Sequence, residues 1–153
     1  MSVTTTGSIW FIDNLARVRV GREESNGTLA IVELEGRRGD MPPLHVHRRE
    51  DEAFYVLEGE LSLHTPDGSL TLRRGEAAFA PKDVPHVYRV ESETARWLGI
   101  TTPGGFDDFV REIGEPAPDE TLPPEGRRHD PARLAEIAGR HGIELLGPPG
   151  TLP

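Results

Sequence analysis

The chain has 153 residues, enough for one domain with its own core. A net charge of −9, from 17 basic and 26 acidic residues, argues against a nucleic-acid partner, which clustered positive charge would attract. The lack of cysteine excludes disulfides, thiolate nucleophiles and cysteine-type metal sites; with no membrane-length apolar run and no basic-then-apolar leader in MSVTTTGSIW, no membrane partner is expected, and a cytoplasmic location is.

The first hundred residues read as strands and turns. Residues 9–12 form a candidate N-terminal edge strand, open to exchange with a second copy. Residues 17–22 and 28–35 flank Ser25-Asn26-Gly27, whose Asn-Gly pair tolerates positive φ and predicts a hairpin. A second hairpin is predicted around Pro66-Asp67-Gly68. Leu61 and Leu63 before it, and Leu70 and Leu72 after it, follow a period of two that places leucines on one sheet face. Residues 53–57, 77–80, 84–90 and 96–101 complete a set of short strands, the pattern of an antiparallel sandwich or barrel.

The character changes after Thr102. Phe106, Phe109, Val110 and Ile113 share helical spacing and predict a short amphipathic helix over residues 105–113. Residues 114–126 carry four prolines and read as an extended loop. The seven acidic residues and one arginine between Phe106 and Gly126 make this stretch a solvated surface; a lid role for residues 114–129 is the rival reading. A second helix is expected over residues 131–141. Asp130 would cap it, Pro131 suits its first turn and Gly142 its end. Leu134, Ile137, Ala138 and His141 form one face, set to pack on the outside of the β domain. The division expected is therefore a β domain over residues 1–105 and a C-terminal extension over residues 106–153.

His45 and His47 sit two apart, so a strand sends both imidazoles to one side. Two imidazoles so placed can meet one divalent ion. Glu52 follows the polar run Arg48-Arg49-Glu50-Asp51, which can turn the chain and bring its carboxylate back. His86, on a later strand, offers a fourth donor from across the barrel. Imidazole with carboxylate suits Fe, Mn, Co, Ni, Cu or Zn. At reference pKa values, such a metal is lost as the pH falls through about 6. Phe54 and Tyr88 have the parity to face the interior, as substrate contacts or as core. Trp97 and Phe79 are expected in the core. His64, His129 and His141 are expected at the surface or with satisfied partners.

Gly39-x5-His45-x-His47-x4-Glu52-x6-Gly59 resembles the first cupin motif at every specified position, and Gly75-x5-Pro81-x-Asp83-x2-His86 resembles most of the second. Asp83 stands where that motif usually has glycine, and Val90 where it usually has asparagine. The resemblance implies an all-β fold, an antiparallel jelly-roll β-barrel (the double-stranded β-helix) with short C-terminal helices. It also implies a metal inside one end of the barrel, held by His45, His47, Glu52 and His86. With Thr102-Pro103-Gly104-Gly105-Phe106 and the helix that follows, the layout is similar to small single-domain cupins of the quercetin 2,3-dioxygenase-like group. That likeness implies a metal-dependent dioxygenase acting on an enolisable, flavonol-like aromatic small molecule. Glu52 would be both ligand and base, and the enzyme a homodimer. The alternatives are a non-redox metal-dependent isomerase, lyase or cyclase, and a non-catalytic small-ligand-binding cupin.

Overall fold

Alternation along the strands builds the sheets. In the computed structural model, which describes residues 7–153, twelve strands and two helices follow in order. The strands before the first helix are β1 (Ile9–Phe11), β2 (Asn14–Val20), β3 (Ala30–Arg37), β4 (Pro43–His47), β5 (Asp51–Glu58), β6 (Glu60–Thr65), β7 (Gly68–Arg73), β8 (Ala77–Ala80), β9 (Val87–Val90) and β10 (Thr94–Thr102). Helix α1 (Phe106–Ile113), β11 (Glu115–Pro116), helix α2 (Pro131–Arg140) and β12 (Ile143–Pro149) complete the chain.

All pairings are antiparallel. One seven-stranded sheet runs β11-β1-β2-β3-β10-β5-β8. A three-stranded sheet β7-β6-β9 and a pair β12-β4 are linked by a bridge between His45 and His86, giving a second layer. The two layers share one apolar cluster, with Val32, Leu34, Phe54, Val56 and Trp97 from the first and Leu61, Leu63, Tyr88 and Val90 from the second. The result is an all-β jelly roll whose sheets face each other without closing into a ring. Helices and strands after Thr102 join the same cluster through Phe106, Phe109, Val110, Leu134, Ile137 and Ile143. No described helix is long and apolar enough to cross a membrane.

Both expected hairpins form. The first has a longer connection than a tight turn, since β2 ends at Val20 and β3 starts at Ala30. Asn26 and Gly27 take the positive φ angles their types suggested, 53° and 80°. In the second hairpin Leu61 pairs with Leu72 and Leu63 with Leu70. Three of these leucines are buried, while Leu70, nearer the tip of the hairpin, is exposed. Gly59 makes the turn between β5 and β6 at φ 80°, and a Cβ there would lie 2.4 Å from the Thr94 carbonyl oxygen.

Several expectations are corrected. Phe79 is 63% exposed rather than in the core. On edge strand β8 the inward parity belongs to Ala80, and no strand lies beyond to cover Phe79. Trp97 is fully buried as expected. Strand β1 lies between β2 and β11. The strand expected over 84–90 starts only at Val87, after a proline-rich loop.

The acidic stretch after α1 lies along the outside of the barrel. Trp10 Nε1 donates to the Thr121 carbonyl at 2.9 Å, and Arg17 pairs with Glu120 at 2.7 Å. Helix α2 forms as read, with the Asp130 carboxylate accepting from the amides of Ala132 and Arg133. Strand β12 is an addition the sequence reading lacked.

Candidate metal centre

Strand β4 places His45 and His47 on one side of the chain. Its backbone is held on one flank by β12, where Ile143 pairs with His47 and Leu145 with His45. On the other flank His86 N–H donates to the His45 carbonyl at 2.9 Å. That bridge delivers the His86 ring beside His45, with centroids 4.6 Å apart. Strand β5 sends Glu52, Phe54 and Val56 inward by alternation. Glu52 is thus a carboxylate on an apolar face, across from the histidines.

The four side chains converge. One donor atom from each of His45, His47, Glu52 and His86 lies within 4.8 Å of all the others. Glu52 Oε2 is 3.1 Å from His86 Nε2 and 3.3 Å from His47 Nε2. Nδ1–H of His45 donates to the Pro43 carbonyl at 2.8 Å, which leaves Nε2 as the nitrogen with a free lone pair. Three imidazoles and a carboxylate, nearly all buried, form a donor set that fits a divalent transition-metal ion.

Electrostatics separate the imidazoles. Burial, followed by the neighbouring His86 and His47, lowers the His45 pKa to about 3, so its ring is neutral at any ordinary pH. Burial also opposes a charge on His47, but the carboxylates of Glu50 and Glu52 outweigh it and raise its pKa to about 9. Burial would raise the Glu52 carboxyl, yet His47 and His86 hold it well below the usual carboxylate range. His45 and His47 therefore titrate far apart, on either side of the reference value of about 6.5.

A cavity of about 530 Å³, counting the part open to solvent, reaches from His45, His47 and Glu52 to the surface. Its walls are mostly apolar: Phe54 and Tyr88 from the barrel, Phe106 and Phe109 from α1, and Leu134, Ile143 and Leu145 from α2 and β12. Phe54 meets His86 edge-on at 5.8 Å. The Tyr88 hydroxyl donates to Asn14 Oδ1 at 2.6 Å, and burial raises its pKa so that the phenol stays protonated. No residue of 114–129 lines this cavity.

The departures from the second motif have local accounts. Asp83 adopts φ 67°, a left-handed conformation that aspartate tolerates better than most residues. Its N–H donates to the His47 carbonyl at 2.8 Å, and its carboxylate pairs with Arg48 at 3.3 Å. Val90 is fully buried in the core. His64 is half-buried beside Ser62 Oγ at 2.9 Å, His129 pairs with Asp13 at 3.0 Å, and His141 with Glu112 at 2.5 Å; none belongs to the cluster. Sequence reasoning passed over Glu50, which lies buried behind His47, and Phe106, whose ring is 5.9 Å from His47. Within Arg48-Arg49-Glu50-Asp51 no periodicity distinguishes Glu50 from its neighbours.

Residues 31–101 match the family described as Cupin domain, so this part of the barrel is a cupin domain. The chain is 31% identical over 120 residues to quercetin 2,3-dioxygenase of Bacillus subtilis (strain 168), covering 77% of this chain and 36% of that protein. It is 29% identical over 85 residues to quercetin 2,3-dioxygenase of Aspergillus japonicus, covering 52% of this chain and 24% of that one. The chain thus spans about a third and about a quarter of the length of these two relatives. Among solved structures, an RmlC-like cupin from Shewanella frigidimarina superposes with a TM-score of 0.59 at 21% identity, covering 70% of this chain and 93% of that one. KdgF from Halomonas sp. gives 0.59 at 18% identity, covering 69% and 99%. These two share the fold.

Proposed function

We propose that this protein is a metal-dependent cupin dioxygenase acting on an enolisable aromatic small molecule of flavonol type. The observation that carries the reading is the convergence of His45, His47, Glu52 and His86 at the inner end of an apolar cavity. The likeness to two quercetin 2,3-dioxygenases supports the substrate class. The four side chains would hold one divalent cation. When bound, a redox-active ion there supplies Lewis acidity toward an enol oxygen and a path for electrons to dioxygen.

The chain's own residues supply the rest. Phe54 and Tyr88 flank the bound ring, and Phe106 and Phe109 exclude water from it. Glu52 is the base for the substrate hydroxyl; the contacts with His47 and His86 that keep it ionised also weaken it as a base, so the proton transfer requires it to move away from them. That transfer converts the enol to the more electron-rich enolate.

The test is oxygen consumption. Protein loaded in turn with Fe, Mn, Co, Ni or Cu is mixed anaerobically with flavonols, and oxygen is then admitted. The expected result is oxygen uptake with at least one metal, abolished in Glu52→Gln while flavonol binding is retained. No uptake with any of the five ions overturns the dioxygenase reading. Turnover with Zn would instead identify a non-redox Lewis-acid enzyme, and binding without turnover a ligand-binding cupin.

A further inference from the structure

Glu50 is not a member of the donor cluster, yet it is only 4% exposed. Its Oε2 lies 3.4 Å from Nδ1 of His47, and both atoms are buried with no formed hydrogen bond. The two nitrogens of His47 thus face two different carboxylates, since Nε2 is 3.3 Å from Glu52 Oε2. A buried carboxylate with no partner is costly, so its place there calls for a compensating role.

The chemistry of imidazole supplies one. A neutral ring carries a single proton, and the partner of one nitrogen decides which form the other presents. Nε2 of His47 lies inside the cluster, where a metal needs its lone pair. Nδ1 lies outside, against Glu50. Glu50 Oε1 lies against Gly105 at the start of α1, where a Cβ would sit in ordinary contact at 3.6 Å. The helix start also offers a favourable field for an anion.

We propose that Glu50 is a positioning residue of the metal centre, accepting a hydrogen bond from Nδ1–H of His47 and so fixing the tautomer and ring plane that present Nε2 to a divalent cation. The proposal rests on the reading of the cluster as a metal site. His45 shows the same arrangement with a backbone partner, the Pro43 carbonyl at 2.8 Å. Two of the three imidazoles are then aimed from behind, as in other metal sites where carboxylate or carbonyl partners orient histidine ligands.

The experiment compares wild type, Glu50→Gln and Glu50→Ala, each freed of metal and titrated with Zn2+ or Co2+ against a chromophoric chelator. Glu50→Ala is expected to bind about 10- to 100-fold more weakly. Glu50→Gln should lose less, because its amide oxygen still accepts the Nδ1 proton. In the Zn2+-loaded proteins, 15N-edited proton spectra should show a strongly deshielded His47 Nδ1–H. That resonance should move upfield in Glu50→Gln and be lost to solvent exchange in Glu50→Ala. A residue that merely supports the fold would lower the melting temperature and leave the resonance in place. If Glu50→Ala fails to fold, affinity and resonance in the near-isosteric Glu50→Gln decide. Unchanged affinity together with an unmoved resonance overturns the role of Glu50 alone. A wild type that takes up neither ion overturns the metal site and this role with it.

Discussion

Metal uptake at neutral pH should expel a proton from His47. The two carboxylates flanking this ring raise its pKa to about 9, so in the metal-free protein it is almost fully protonated at pH 7. A protonated imidazole has no lone pair to give, and an incoming ion must displace the proton first. Two pH units separate 7 from 9, so the apparent affinity at pH 7 lies about 100-fold, or about 2.7 kcal/mol, below its high-pH limit. His45 adds nothing to this release, since its pKa of about 3 leaves it neutral already. Calorimetric titration with Zn2+ in buffers of different ionisation enthalpy counts the protons. The His47 contribution is expected to be about one proton per ion at pH 7 and to vanish above about pH 10, with affinity rising roughly tenfold per unit between them. The metal-free fold should show the converse. A raised pKa stabilises the folded state fully below the unfolded value of about 6.5, and that contribution is lost as the pH rises through about 9. Proton release near zero, with affinity flat from pH 7 to 9, would refute the electrostatic account of the site.

Two further outcomes are expected. His86→Ala should purify with far less metal than wild type by elemental analysis, because it deletes one of four donors and opens a void beside His45; full metal content in the variant would remove His86 from the donor set. Trp97→Ala should cost about 3–5 kcal/mol in urea unfolding, whereas Phe79→Ala should change stability by less than about 0.5 kcal/mol. Equal losses would mean that the outer face of β8 is covered in solution.

Much of this site is legible in the chain because strand parity is a strong rule. It puts His45 and His47 on one side, and it turns Glu52 inward with Phe54 and Val56. At Phe79 the expectation of burial fails: Ala80 takes the inward side of β8, and Phe79 is left exposed. Glu50 escaped notice because one of its neighbours, Gly105 at the start of α1, comes more than fifty residues later in the chain. Strand β12 was hidden for a different reason. Gly147, Pro148 and Pro149 break its alternation, and its register with β4 shifts twice, so no period of two survives in the sequence. The pH behaviour was illegible too, since the His47 pKa depends on which two carboxylates the fold brings within 3.4 Å.

The pairing of β12 with β4 sets an order of events in the life of the molecule. Until residues 143–149 have left the ribosome, the histidine strand has one flank bare and the cavity lacks Ile143 and Leu145. About 100 residues separate His47 from that strand, roughly five to twenty seconds of synthesis. All four donor residues are made before β12, so the growing chain carries the donor set for part of that interval without the strand that braces β4.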